Sequence, residues 1–194
     1  MKKSLFLIMI LTSIFLSVNS FAQYSFQWIS YMGSESWDLA TDMVVTDDYL
    51  YLTGGFNDTL RFDNTENQLV SSGDRDVFLA KYSLDGDLLW VEQFSGPKYI
   101  NSTSIAADNE GNILICGSYQ QKLFMSSGDS LVADGFLDNY IIKISPDAEI
   151  VSSMRIKADC KSNPSYISVM ENNDFIYSGS FYGKLCLNDT IQAI

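Results

Sequence analysis

The chain has 194 residues, with 24 acidic and 12 basic side chains, no histidine and a formal net charge of −12. A surface this acidic repels phosphate backbones, which argues against nucleic acid as a partner. The missing imidazole removes the usual general base, the Ser-His-Asp arrangement and the common zinc ligand; no GxGxxG, P-loop or nucleophile-elbow pattern takes its place.

Residues 1–22 read as a cleavable export signal. Lys2 and Lys3 supply the positive start, Leu5 to Val18 is mostly apolar, and Ser20-Phe21-Ala22 carries the small residues that a signal peptidase requires. The apolar run is shorter than the roughly 20 residues of a comfortable membrane span. The expected cut after Ala22 leaves Gln23 first, so no lipid-modified cysteine follows it. The mature chain is therefore expected to be soluble, secreted or at the cell surface, with no membrane span after signal cleavage. Of its cysteines, Cys116 lies in a strand pattern as a small buried filler. Cys160 and Cys186 lack metal-ligand spacing, and an odd count forbids complete pairing within the chain.

Residues 23–194 are dominated by a repeat of about 62 residues. Leu50-Tyr51-Leu52-Thr53-Gly54-Gly55-Phe56 returns as Ile113-Leu114-Ile115-Cys116-Gly117-Ser118-Tyr119 and as Phe175-Ile176-Tyr177-Ser178-Gly179-Ser180-Phe181. Asp76 to Ser83 returns as Asp138 to Ser145. A fixed period of this length marks a modular array. Within each unit the apolar residues alternate or form short blocks rich in Ile, Val, Leu, Tyr and Phe, which are strand signals, and no helical period is sustained.

The complete middle unit predicts a first strand over Ser104 to Asp108, a tight turn through Gly111, a second strand over Asn112 to Tyr119, a third over Asp138 to Ser145, a turn at Pro146-Asp147-Ala148-Glu149, and a fourth over Ile150 to Met154. Four antiparallel strands with both faces apolar are the blade of a β-propeller. The blades fall at approximately 34–95, 96–157 and 158–194, the last cut in mid-repeat, so the fold class is all-β with an incomplete ring. The pieces Leu60-Arg61-Phe62 with Gln68-Leu69-Val70, and Lys122-Leu123-Phe124 with Ser130-Leu131-Val132, are expected to form an added hairpin projecting from one rim; Leu185-Cys186-Leu187 begins the same element. Gly54, Gly117 and Gly179, interior to strands, imply close backbone approach or a bulge, with a crowded central channel as the natural reason. Asp76 and Asp138 open the third strand and are expected to cap backbone amides. Lys81 and Lys143, five residues on, point to the opposite face and are expected to snorkel outward.

The run Asp76 to Trp90, followed by Phe94-Ser95-Gly96 and by Ala107-Asp108-x-x-Gly111-Asn112-Ile113-x-Ile115-x-Gly117-Ser118-Tyr119, resembles the SBBP-type β-propeller repeat. The resemblance covers essentially all of the mature chain. It implies an exported propeller of the kind common in Bacteroidetes, where such proteins often carry adhesion modules or a type IX secretion sorting domain; no segment of this chain has either pattern. It brings no catalytic residues with it. The third unit departs from the pattern: Ser152 stands where Trp28 and Trp90 precede it, and Asn172-Asn173-Asp174 replaces the Asp-x-x-Gly-Asn turn.

No catalytic, cofactor-binding or metal-ligating residue is assigned from the sequence. Asp47, Asp48, Asp85, Asp87, Asp108 and Glu110 cluster in turns, where solvated turn chemistry accounts for them better than a pair of catalytic carboxylates. No cofactor is assigned; calcium is the one whose chemistry Asp85-Gly86-Asp87 and Asp108 to Asn112 suit best, although they lack the ligand ladder of an EF-hand. Asp58-Thr59-Leu60, Asp129-Ser130-Leu131 and Asp189-Thr190-Ile191 resemble a bacteroidete O-glycosylation acceptor. The expectation is a non-catalytic scaffold that binds a protein or glycan at the cell surface. The alternatives are a carbohydrate-binding propeller and part of a glycan-degrading enzyme whose active site lies elsewhere.

Overall fold

The computed structural model describes residues 27–63, 65–158, 161–187 and 190–193. The expected signal segment, Cys160 and Asp189 lie outside them. The described residues form strands joined by turns, with no helix. The first blade is a four-stranded antiparallel sheet of β2 (Asp38–Val45), β3 (Tyr49–Phe56), β6 (Asp76–Ser83) and β7 (Leu88–Phe94), in that order, with β1 (Met32–Gly33) ahead of it. The second repeats the arrangement with β8 (Ile100–Ala107), β9 (Ile113–Tyr119), β12 (Asp138–Ile144) and β13 (Ile150–Ala158). A third begins with β14 (Lys161–Val169) paired to β15 (Phe175–Tyr182). Between second and third strands lie the hairpins β4–β5 (Thr59–Phe62, Gln68–Val70), β10–β11 (Lys122–Phe124, Ser130–Val132) and β16–β17 (Leu185–Leu187, Thr190–Ala193). These are propeller blades stacked face to face, and the described residues do not close a ring.

The core lies between blades. Tyr51, Val77 and Leu79 from the first blade meet Ile105, Ile113, Ile115, Tyr140 and Ile142 from the second in one buried cluster. Alternate residues of the same strands, Phe78, Ala80 and Tyr82, serve a cluster on the far face with Phe56, Leu60 and Phe62. Leu114, Cys116, Ile141 and Ile156 meet Ile167 between the second and third units. This period-two division explains why β9 and β12 read as nearly continuous apolar runs: each has a neighbour on both faces. Cys116 is fully buried, as its filler role requires, and burial pushes its thiol up to about 12.

The interior glycines are explained by a bulge, not by a central channel. In every unit the first strand skips register beside the second, at Ala40/Asp42, Ser102/Ser104 and Pro164/Tyr166. The bulge turns a carbonyl onto the glycine. A β-carbon on Gly54 would lie 2.1 Å from Leu39 O, on Gly117 1.9 Å from Asn101 O, and on Gly179 2.7 Å from Asn163 O. The bulge also explains why β8 starts at Ile100 and not at Ser104. The run Asn101-Ser102-Thr103-Ser104 breaks period-two alternation and hides a strand that the backbone still forms.

The added hairpins do not project freely. Met32 and Gly33 pair with Phe62 and Arg61; Ser95 forms an equivalent bridge with Phe124; Ile156 to Ala158 pair with Leu187 to Leu185. Each hairpin thus clasps the stretch of chain just ahead of its own blade's first strand. That is why β13 runs to Ala158, beyond the expected Met154.

Asp76 and Asp138 cap amides as expected. Asp76 is fully buried and accepts from Ser72 N (2.8 Å), Gly96 N (3.3 Å) and the Gln93 amide (2.7 Å), while Asp138 accepts from Asp134 N (3.0 Å).

The bulge contact makes a sharp prediction. Gly117→Ala forces backbone apart and should destabilise by about 3 kcal/mol or more. Gly33→Ala meets only Asp38 Oδ2 at 3.9 Å and should cost about 1 kcal/mol or less. Chemical denaturation of the two variants checks this, and equal losses would contradict it.

Candidate functional site

Where the first two blades meet, their turns enclose an open groove of about 680 Å³. Thr46, Asp47, Asp48 and Tyr49 come from the β2–β3 turn, Asp108 to Gly111 from the β8–β9 turn, and Pro146 from the β12–β13 turn. Asn, Asp and Gly place these turns by local bonding. Asp108 Oδ1 accepts from Glu110 N and Asn112 N, both at 2.9 Å, and Gly111 takes φ +81°. The carboxylates of Asp47, Asp48 and Glu110 are left at the exposed lip.

Lys81 corrects the expectation of an outward-pointing side chain. It is only 6% exposed, its ammonium lies 3.7 Å above the Tyr49 ring, and it donates to Pro146 O at 2.9 Å. Burial lowers its pKa, against the attraction of Asp147 and Asp48. Trp90 Nε1 donates to the same carbonyl at 3.1 Å, as Trp28 Nε1 donates to the matching Leu84 O at 2.9 Å. Ser152, at the same place in β13, carries no indole for this latch. Tyr51 packs tilted against Trp90 in the groove wall; burial, with Tyr49 and Asp147 nearby, pushes its hydroxyl up to about 12. Lys143 also turns back, to Asp108 Oδ2 at 2.7 Å.

This geometry favours the turn reading over a cation site. The Asp108 carboxylate is occupied by two amides, the Asn112 side chain and Lys143. Asp85-Gly86-Asp87 closes a hairpin turn, with Asp87 N on Ser83 Oγ and Gly86 at φ +96°. Among the described residues no three metal-ligating side chains converge. Of the glycosylation-like tripeptides, Thr59 and Ser130 sit half-buried at the starts of β4 and β11.

Sequence reasoning missed two further features. The Arg75 guanidinium lies 3.5 Å from the Trp37 ring centre and 4.9 Å from that of Tyr99, and donates to the Tyr99 hydroxyl at 3.1 Å. A second groove of about 430 Å³ gathers Tyr99, Asn101, Ser118, Gln120, Phe136 and Asn163, with Phe136 70% exposed. Apart from Ser118 their residues lie outside the repeated motifs, so periodicity carried no signal for them.

Comparison with known proteins agrees with the fold. The beta-propeller repeat family matches residues 89–118, which run from the outer strand of the first blade into the second strand of the next. The uncharacterized WD repeat-containing protein L264 of Acanthamoeba polyphaga mimivirus is 28% identical over 131 residues; the match covers 55% of this chain and only 9% of that relative's length. The fold is that of β-propeller blades, and residues 89–118 of the chain are similar to the beta-propeller repeat family.

The Asp108–Lys143 pair carries a pH dependence. Burial works against the Asp108 charge, but Lys143 and the Asn112 side chain outweigh it and hold the carboxyl below its usual value; the same contact with Asp108 raises Lys143. The Asp108 contribution is therefore present above the ordinary carboxylate pKa of about 3.9 and is lost as pH falls through the lower folded value. The Lys143 contribution is lost as pH rises through its raised value above 10.5. Denaturation midpoints measured from pH 6 down to pH 2 should fall less steeply in Asp108→Asn than in the parent, with a loss of about 2 kcal/mol at pH 6.

Proposed function

We propose that this protein is an exported, non-catalytic propeller scaffold whose acidic inter-blade groove receives a cationic segment of a protein partner at the cell surface. One observation carries the reading. The deep polar side chains of the blades, Asp76, Asp108, Lys81 and Lys143, are committed to capping or latching contacts, whereas Asp47 and Asp48 stay exposed beside Tyr49; Glu110, also exposed, accepts from Asn112 Nδ2 at 3.2 Å and lies 3.9 Å from Lys143 Nζ. Carboxylates over a low-dielectric aromatic wall attract ammonium and guanidinium groups. The match to a beta-propeller repeat supports a scaffold role, and the leader pattern supports export.

The protein should retain lysine-rich peptides over neutral ones of equal length. Asp47→Lys, Asp48→Lys and Glu110→Lys together should weaken retention at least about tenfold while the circular dichroism of the folded protein is unchanged, and about 0.5 M salt should do the same. Unchanged retention in the triple variant would overturn the reading. N-terminal sequencing of exported protein should begin at Gln23.

The second groove favours a carbohydrate-binding alternative, because an exposed ring beside amide and hydroxyl side chains is the chemistry that stacks on a sugar. Glycan-array binding that is lost in Phe136→Ala, with no product released, would favour it. Product release would point instead to an enzyme.

A further inference from the structure

The second groove has a sister place at the first blade, and the two differ in what fills them. Strand register puts Trp37, Gly55, Asn57 and Arg75 of the first blade where the second has Tyr99, Ser118, Gln120 and Leu137. At the first blade the chain fills the place itself. The Arg75 side chain lies along Gly55, where a β-carbon would meet its Cδ at 2.9 Å, and its guanidinium rests against the Trp37 and Tyr99 rings. At the second blade the shorter, uncharged Leu137 is buried, and a groove of about 430 Å³ remains beside it. The exposure of Phe136 on the groove belongs to its place in the repeat. Asp74 holds the same place where the two complete blades meet, and its side chain is 64% exposed there.

The lining of the groove is uncharged. Asn101, Thr103, Ser118, Gln120 and Asn163 supply its polar side chains, and Phe136 its open ring. Among the described residues, none of these five polar side chains makes a hydrogen bond within the protein. Ser118 weighs most. It is only 6% exposed, so its hydroxyl has lost most of its water without gaining a protein partner, which costs free energy until another group supplies one. The cations of this region are already engaged: Arg75 with Trp37 and Tyr99, and Arg155 and Lys157 with Asp134. With a net charge of −12 on the chain, an anion finds no counter-charge here. Amides and hydroxyls each donate and accept, as sugar hydroxyls do, and an exposed phenyl ring suits the C–H face of a pyranose.

We propose that this groove binds an uncharged sugar residue of a glycan, stacked on Phe136, with Ser118, Gln120 and Asn101 bonding its hydroxyls. The ring supplies contact area, and Ser118 and its amide neighbours supply selection, because a sugar that leaves them unpaired forfeits their bonds. This rests on the carbohydrate-binding reading given above and adds to it the class of sugar and the residues that select it. It is independent of the acidic groove.

Isothermal titration of the full protein tests it, with neutral hexasaccharides (glucan, mannan and galactan) set against hexasaccharides of galacturonate and mannuronate. Saturable binding of at least one neutral hexasaccharide is expected, with no heat from the uronates. Binding should weaken at least about tenfold in Phe136→Ala and about threefold or more in Ser118→Ala, each with unchanged circular dichroism. About 0.5 M salt and the Asp47→Lys, Asp48→Lys, Glu110→Lys protein should leave it unaltered. Uronate binding that is lost in Phe136→Ala overturns the uncharged class and leaves the carbohydrate-binding reading standing. Neutral-sugar binding that survives Phe136→Ala overturns the placement in this groove. No binding of any hexasaccharide overturns both.

Discussion

β3, β6, β9 and β12 have apolar side chains on both faces, and a sheet of that kind cannot meet water on either side. Each fully buried Leu, Ile or Phe contributes about 1.5–3 kcal/mol only while a neighbour covers it. Stability is thus held between blades, and each blade depends on those beside it, as in other repeat arrays.

Close stacking needs a second device, because four-stranded sheets must twist and still fit around an axis. The bulge in each first strand provides it, pressing a carbonyl onto the glycine of the second strand. Polar side chains then register one blade on the next. Asp42 of β2 accepts from Ser104 Oγ at 2.8 Å and Ile105 N at 2.9 Å in β8, while Lys81 and Trp90 converge on Pro146 O. With these groups spent on architecture, exposed chemistry is left to turns, which are free to vary without cost to the core.

Much of this was legible before any coordinates. Gly54, Gly117 and Gly179 in register announced close approach, the hairpin segments were placed to within one residue, and Asp76 and Asp138 were read as caps. The failures have identifiable causes. Lys81 and Lys143 were assigned outward because strand alternation says which face a side chain takes but not what stands opposite that face; here it is a carbonyl and a carboxylate on neighbouring turns. The hairpins looked like projections because their clasp joins residues that no local pattern links. The start of β8 was missed because its bulge lies in a polar run. The second groove was missed because Tyr99, Phe136 and Asn163 come from three separate segments.

By itself the sequence determined everything governed by local period and turn chemistry: the strand types, the four-stranded unit, its spacing of about 62 residues, and the acidic turns. Tertiary structure alone decided which faces meet and which lysines turn back as latches. Alternation and glycine placement act over a few bonds and are written in adjacent residues. Inter-blade contacts join residues about sixty positions apart, and their partners exist only once the sheets have stacked.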